Sequence, residues 1–150
     1  MDEYSAALLH EVDACVAGWI TRSVESRLSA AGIVADDRLR AAADDAGRAA
    51  RGQVHEELAH LLALDVDEQR TNPLAVLRRA VVHATAVLDA AGAPAVDRDE
   101  FERRAFPDDR YGLSPATWRD VDERLVEPGL VWGAWKAKTV LDRRRAEGRR

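Results

Sequence analysis

Apolar residues recur at intervals of four and three through three long stretches of the chain, and this spacing constrains the fold more than any other feature. An α-helix completes a turn every 3.6 residues, so side chains spaced in this way lie on one face and are buried together. The spacing predicts helices over about 2–31, 36–64 and 72–92. The three apolar stripes are Leu8, Val12, Cys15, Trp19, Val24, Leu28 and Ala31; Leu39, Ala43, Ala46, Ala50, Val54, Leu58 and Leu61; and Leu74, Leu77, Val81, Ala84, Leu88 and Ala91.

Local signals mark the ends of these helices. Gly32 and Gly92 follow the first and third stripes, where glycine often terminates a helix, and Asn72 with Pro73 is typical of a helix start. The first half of the second helix contains mostly small residues, which either let a neighbouring helix come close or leave that half weakly held. The 28 alanines and 20 arginines also favour helices. We predict an all-α fold, an up-down bundle of three long helices plus shorter C-terminal helices.

The length of 150 residues is that of a single domain, 1–150, in which we distinguish three parts. A three-helix core spans 1–92, short helices follow over 93–135, and 136–150 forms a basic helix end or tail. Four of the five prolines and six of the eight aromatic residues lie at or beyond Pro94. The middle part is therefore expected to consist of turns and short helices around aromatic anchors.

Two short helices are predicted in this middle part. Asp97 with Glu100 resembles a capping box for a helix that ends near Ala105. Ser114 followed by Pro115 is typical of a second helix start, and that helix would carry Trp118, Val121 and Leu125.

Charge is distributed unevenly along the chain. The formal net charge of −5 argues against a protein whose whole surface binds nucleic acid or membranes. The segment Lys136–Arg150 nevertheless carries +5, so the preceding residues carry −10. No stretch approaches the ~20 apolar residues of a membrane-spanning helix. The single cysteine, Cys15, fits a reducing compartment and is expected to be buried; with no signal peptide recognised, we expect a cytoplasmic location.

The histidines and acidic residues suggest only incomplete catalytic or metal sites. His55 and His60 are five residues apart, about 140° around a helix, whereas a zinc-protease helix needs a spacing of four. Glu57 with His60 has the spacing used in di-iron bundles, but the other helices supply no second pair. His83 is expected to be a buried, hydrogen-bonded histidine. The acidic residues of the last third are expected to act mainly as caps: Asp108, Asp109, Asp120, Asp122, Glu123 and Glu127.

Aromatic and basic residues near the C-terminus form the predicted contact surface. Trp132 and Lys136 are neighbours on a helix, so an exposed face here could stack bases or bind a protein. The alternative is that the indoles pack into the bundle while the lysines extend into solvent. The candidate partner-binding residues are Tyr111, Trp118, Trp132, Trp135, Lys136, Lys138, Arg143, Arg144 and Arg145.

Two runs in the last third carry a resemblance to other proteins. They are Phe106-Pro-Asp-Asp-Arg-Tyr-Gly-Leu-Ser-Pro-Ala-Thr-Trp and Glu127-Pro-Gly-Leu-Val-Trp-Gly-Ala-Trp-Lys-Ala. Together with the alanine and arginine bias, these runs resemble segments of uncharacterised small Ala/Arg-rich helical proteins of high-GC actinobacteria. The resemblance implies no activity and no functional residues.

The sequence supports three hypotheses for the function of this chain. The first is a non-enzymatic cytoplasmic binding protein, with a protein partner or a second copy of itself, whose contact surface lies in the C-terminal third. The second is nucleic-acid or ribonucleoprotein docking through the basic C-terminal segment. The third is a metal-assisted enzyme that uses His60 or His83. We predict no catalytic residues, no metal ligands, no cofactor and no membrane association.

Overall fold

The computed structural model describes residues 3–63, 73–125 and 148, and every regular element within these ranges is helical. The elements are α1 (Glu3–Ala30), α2 (Asp37–Ala63), α3 (Leu74–Ala80), α4 (Val82–Ala90), α5 (Glu100–Ala105) and α6 (Trp118–Val121), followed by a 3₁₀ turn, Glu123–Leu125. The predicted all-α class is confirmed. The first two helices end within one residue of their predicted limits. No helix of the described ranges is long and apolar enough to cross a membrane.

The third predicted helix is two shorter helices, so the described ranges hold two long helices instead of three. Val81 separates α3 from α4 and has φ −64° and ψ −16°, a shallower ψ than in a regular α-helix. Val82 follows directly, and two adjacent β-branched side chains fit a helix less well than unbranched ones. Because Val81 keeps right-handed dihedral angles, the interruption is local.

The ends of the long helices are held by local bonds. Asp36 caps α2, because its carboxylate accepts a hydrogen bond from the Leu39 N–H at 2.8 Å. Gly32 follows α1 with φ +71° and Gly92 follows α4 with φ +76°, a backbone conformation that residues with a Cβ rarely adopt. Both predicted glycine stops are confirmed.

The first short helix begins two residues later than predicted. Asp99, not Asp97, caps α5, since its carboxylate accepts a hydrogen bond from the Glu102 N–H at 2.7 Å. The sequence contains two overlapping capping patterns, Asp97 with Glu100 and Asp99 with Glu102, and the second is the one formed. The predicted end at Ala105 is confirmed.

The second short helix also begins later than predicted and ends sooner. Thr117 is its cap, with Asp120 in a reciprocal capping box, so the prediction of a start at Ser114 and Pro115 is wrong. The helix ends at Val121 because Asp122 is extended, with φ −164° and ψ 142°.

The core is formed by α1, α2 and the α3–α4 pair. Contacts that join early residues of α1 to late residues of α2 make these helices antiparallel: Asp13 bonds His55, and Gly47 lies against Ala17 and Thr21. The small residues of α2 allow this close approach, as one of the two alternatives predicted. The largest fully buried side chains are Leu8, Ile20, Leu28, Leu58, Leu77, Leu88, Leu125, Val12, Val16, Val24, Val54 and Val76.

Candidate functional site

The segment after α4 folds back against the bundle and is anchored by Tyr111. This side chain is 3% exposed, and two acceptors lie within hydrogen-bond distance of its single O–H group: Asp89 Oδ1 at 2.8 Å and the Ala93 carbonyl oxygen at 3.0 Å. Burial, together with the hydrogen bond to Asp89, raises the pKa of the Tyr111 phenol. The Val96 N–H donates to the Arg110 carbonyl oxygen at 3.0 Å and joins the two arms of the segment. These bonds attach residues 93–111 to the end of α4.

Asp109 organises the next part of the segment. The side chain is buried, and its two carboxylate oxygens accept hydrogen bonds from the N–H groups of Leu113, at 2.8 Å, and Ser114, at 2.9 Å. The Asp109 N–H in turn donates to the Phe106 carbonyl oxygen at 3.1 Å. A charged acceptor bonded to two backbone donors fixes the course of residues 109–114.

Arg78 connects this loop to α3. Its Nε donates to the Pro115 carbonyl oxygen at 3.0 Å, and its guanidinium carbon lies 5.6 Å from the centre of the Phe106 ring. The distance is that of a cation–π contact. Arg98 Nη1 donates to the Phe106 carbonyl oxygen at 2.5 Å from the other arm of the loop. Phe106 is therefore held by two arginines, one on its ring and one on its backbone.

Two cavities, each of about 350 Å³, lie along this contact and share Arg78, Phe106, Asp109 and Ser114 as lining residues. The first, which we call the Thr85 cavity, is also lined by Val82, Thr85 and Asp108. The second, which we call the Phe101 cavity, is also lined by Arg98 and Phe101. We refer to the two together as the Arg78 cleft. Their volumes are at the small end of the range for ligand pockets.

Each cavity has one side chain in an unusual environment. The Thr85 side chain is nearly buried, and its Oγ1 has no hydrogen-bond partner in the part of the chain that the structure describes. The Phe101 side chain is 75% exposed although it is large and apolar. Neither residue was singled out from the sequence, because neither burial nor hydrogen bonding at a single position follows from the apolar spacing.

A chain of polar contacts lies beside the cleft, between α2 and the α3–α4 pair. Arg79 Nε donates to Glu57 Oε2 at 3.2 Å, and Gln53 Nε2 donates to Glu57 Oε1 at 3.2 Å. His83 Nε2 lies 2.5 Å from Gln53 Oε1. Because the Gln53 oxygen is an acceptor, His83 is the donor and carries its proton on Nε2.

The histidines differ in their environments, and the prediction for His83 is confirmed only in part. His60 is exposed, and His83 is hydrogen-bonded as predicted but half-buried, not buried. His55, on α2, pairs through Nδ1 with Asp13 Oδ2 of α1 at 2.8 Å. Within residues 3–63 and 73–125, no three side chains of His, Cys, Asp or Glu are grouped closely enough to hold a metal ion.

Of the predicted contact residues, the structure describes Tyr111 and Trp118, and neither is exposed. Tyr111 is buried, and Trp118 is half-buried and packs against the core. The other seven lie outside the described residues: Trp132, Trp135, Lys136, Lys138, Arg143, Arg144 and Arg145. The aromatic side chain that the described part of the C-terminal third exposes is Phe101.

Three of the six acidic residues predicted as caps accept bonds from backbone N–H groups: Asp109, Asp120 and Asp122. Glu127 lies outside the described residues. Asp120 Oδ2 accepts from Ala116 and Thr117 at 2.9 and 3.1 Å. Asp122 Oδ1 accepts from the Arg124 N–H at 2.9 Å. That hydrogen bond, together with the Arg124 guanidinium, lowers the pKa of the Asp122 carboxyl.

Cys15, on α1, has the environment of a structural cysteine. Its side chain is 2% exposed, which confirms the predicted burial. Burial raises the pKa of the Cys15 thiol, and the negative charge of the nearby Asp122 raises it further. The thiol is therefore protonated at neutral pH, the form that is a poor nucleophile.

The lowered pKa of Asp122 makes stability depend on pH. A carboxyl whose pKa is lower in the folded than in the unfolded chain stabilises the fold at neutral pH, and this contribution is lost as the pH falls below the ordinary value of 3.8. We expect Asp122→Asn to lower the free energy of unfolding at neutral pH and to differ little from the parent protein in acid. Urea unfolding at both pH values measures the difference. Asp108→Asn, at an exposed position, is the control; a loss for Asp122→Asn that is equal at both pH values would contradict the assignment.

No protein-family model, no curated protein and no solved structure matches this chain. What the Arg78 cleft can bind therefore follows from its geometry and chemistry.

Proposed function

We propose that the chain is a non-enzymatic binding protein whose contact surface is the Arg78 cleft. The observation that carries this proposal is the exposed ring of Phe101 at the edge of a cavity that α3, α5 and the loop enclose together. Large apolar side chains exposed beside a concave surface are typical of binding sites, because burying them on a ligand releases water from apolar area.

The hydrogen bonds of the loop support the same proposal. Arg78 and Asp109 use side-chain groups to hold backbone atoms of the loop, so the walls of both cavities are fixed without a ligand. A surface that is already ordered loses little conformational entropy when it binds, and binding is tighter for that reason.

A screen of chemically diverse small molecules by two-dimensional ¹H–¹⁵N NMR tests this function. We expect the molecules that bind to shift the amide signals of residues 78–85 and 98–116. Phe101→Ala should weaken those that bind in the Phe101 cavity, because it removes the ring without touching the core. Val34→Ala, at a side chain that is 84% exposed between α1 and α2, is the matched control and should change nothing. Molecules that bind only elsewhere, such as near Asp13 and His55, or none that bind at all, would contradict the proposal.

A further inference from the structure

We infer that His55 is a phosphoryl-acceptor site, whose Nε2 takes a phosphoryl group from a small acyl phosphate. The site is a cavity of about 510 Å³ where α1 meets α2, and its lining residues are Asp13, Arg48, Arg51, Gly52 and His55. None of these residues lines the Arg78 cleft, so the inference does not rest on the proposed binding function.

The contact between Asp13 and His55 determines which ring nitrogen is able to react. Asp13 Oδ2 lies 2.8 Å from His55 Nδ1, and a carboxylate oxygen only accepts, so Nδ1 carries the hydrogen. In the neutral ring the lone pair is then on Nε2, on the far side of the ring from Asp13. The His55 side chain is 55% exposed, and among residues 3–63 and 73–125 no group bonds its Nε2. This nucleophilic nitrogen is therefore open to a ligand.

Asp13 also stabilises the charge that the transfer creates. Its second oxygen, Oδ1, is buried and has no hydrogen-bond partner in the ranges that the structure describes. A buried carboxylate oxygen without a partner is costly, and a positive charge beside the same carboxylate offsets part of that cost. The ring of His55 becomes positively charged when Nε2 bonds to phosphorus, so Asp13 favours the phosphorylated ring.

The transfer is balanced without a further reactant. The lone pair of His55 Nε2 forms a bond to phosphorus, while the bond from phosphorus to the acyl oxygen of the donor breaks. That oxygen keeps the electron pair and leaves as part of a carboxylate. Nδ1 keeps its hydrogen, so no proton has to move. An acyl phosphate suits this step because a carboxylate is a far better leaving group than the alkoxide of a phosphate ester.

The arginine side of the cavity provides for the phosphoryl oxygens. Arg51 lies one helical turn before His55, a spacing that places both side chains on one face of α2. Arg48, on the same face, pairs with Asp45, whereas Arg51 has no ion pair or hydrogen bond with any described residue. Its guanidinium is therefore free to bond a phosphoryl group. Gly52 shares this face, and a Cβ there would meet nothing within 4 Å, so the space beside the helix is open.

Acetyl phosphate, the simplest acyl phosphate, is the probe. We expect it to phosphorylate His55 at Nε2 at least about tenfold faster than His60, because a hydrogen-bonded charge contributes that much. His60 is the internal control, since it is exposed on the same helix and has no hydrogen-bond partner among the described residues. Mass spectrometry of peptides measures the two rates, and ³¹P and ¹⁵N NMR identify the ring nitrogen. Equal rates, a phosphoryl group on Nδ1 or no labelling at all would overturn the inference.

Asp13→Asn tests the charge beside the ring. The amide keeps a hydrogen-bond acceptor of the same shape, so circular dichroism should be unchanged, but we expect His55 to be labelled about tenfold more slowly. The labelling rate of His60 should stay the same. Glu56→Gln removes an exposed carboxylate that is adjacent to His55 in sequence and does not line the cavity, and it should have no effect. Labelling of His55 at the parent rate in Asp13→Asn would overturn the inference.

Arg51→Gln and Gly52→Leu test the other side of the cavity. Both positions are exposed, so neither change disturbs the core. We expect each to slow the labelling of His55 by about tenfold, the first through a lost charged donor and the second because leucine fills the open space. Arg38→Gln removes an exposed arginine of α2 that does not line the cavity and should have no effect. Parent rates for both Arg51→Gln and Gly52→Leu would show that the cavity does not hold the phosphoryl group, and the inference would be wrong.

Discussion

Gly47→Leu is expected to lower the free energy of unfolding by about 3 kcal/mol, at the upper end of the cost of overpacking. A Cβ at Gly47 would lie 2.7 Å from the Ala17 carbonyl oxygen and 3.1 Å from Thr21 Oγ1. The first of these atoms belongs to the backbone of α1, which cannot move without shifting the whole helix. The two long helices would therefore have to separate, and the loss of their contacts outweighs the better helix propensity of leucine. Urea unfolding followed by circular dichroism measures the effect.

Gly52→Leu is the matched control on the same helix. A Cβ at Gly52 would meet nothing within 4 Å, so only the intrinsic preference for helix changes there. We expect this variant to be more stable than the parent protein by about 0.5–1 kcal/mol. Equal stabilities for the two leucine variants would contradict the close approach of α1 and α2 at Gly47.

Asp109→Ala is expected to lower the free energy of unfolding by about 2–4 kcal/mol. The change leaves the N–H groups of Leu113 and Ser114 without their acceptor, and Leu113 is buried, so water cannot freely replace the carboxylate. The loop that forms one wall of both cavities would lose its order as well. Urea unfolding measures the stability, and faster hydrogen exchange at the amides of residues 112–114 reports the loop.

Asp108→Ala is the matched control for Asp109→Ala. Asp108 is exposed and adjacent in sequence, so its removal is expected to change the stability by no more than about 0.5 kcal/mol. A loss for Asp109→Ala as small as that for Asp108→Ala would show that the buried carboxylate does not organise the loop.

The long helices could be predicted from the sequence because their signal is local and repeated. The apolar spacing of four and three residues repeats several times along α1 and α2, so a single irregular position does not hide the helical period. The interruption at Val81 could not be found in this way, since the apolar spacing continues through it. The start of α5 could not be decided from the sequence either. Asp97 and Asp99 are each followed three residues later by a glutamate, so both have the spacing of a capping box.

The cleft could not be predicted because long-range contacts create it. Arg78 and Pro115 are 37 residues apart, and their hydrogen bond closes the loop over α3. Thr85 lies next to the predicted stripe residue Ala84, and nothing in the sequence indicates that its hydroxyl has no partner. We predicted a contact surface in the C-terminal third because proline and aromatic residues cluster beyond Pro94, and that contact surface stays a prediction. Among the aromatic residues there we named Tyr111, which the fold buries as an anchor, and not Phe101, which lies exposed in a short charged helix.

The interruption at Val81 also has a mechanical consequence for the cleft. Arg78 belongs to α3 and Thr85 to α4, so these two residues, which line the same cavity, are on opposite sides of the break. In one continuous helix, the backbone ladder would fix their separation. At the break, the separation of these two residues depends instead on the backbone angles of Val81. A ligand that filled this cavity would contact both helices, and the rigidity of the α3–α4 pair would then depend on whether the ligand is bound.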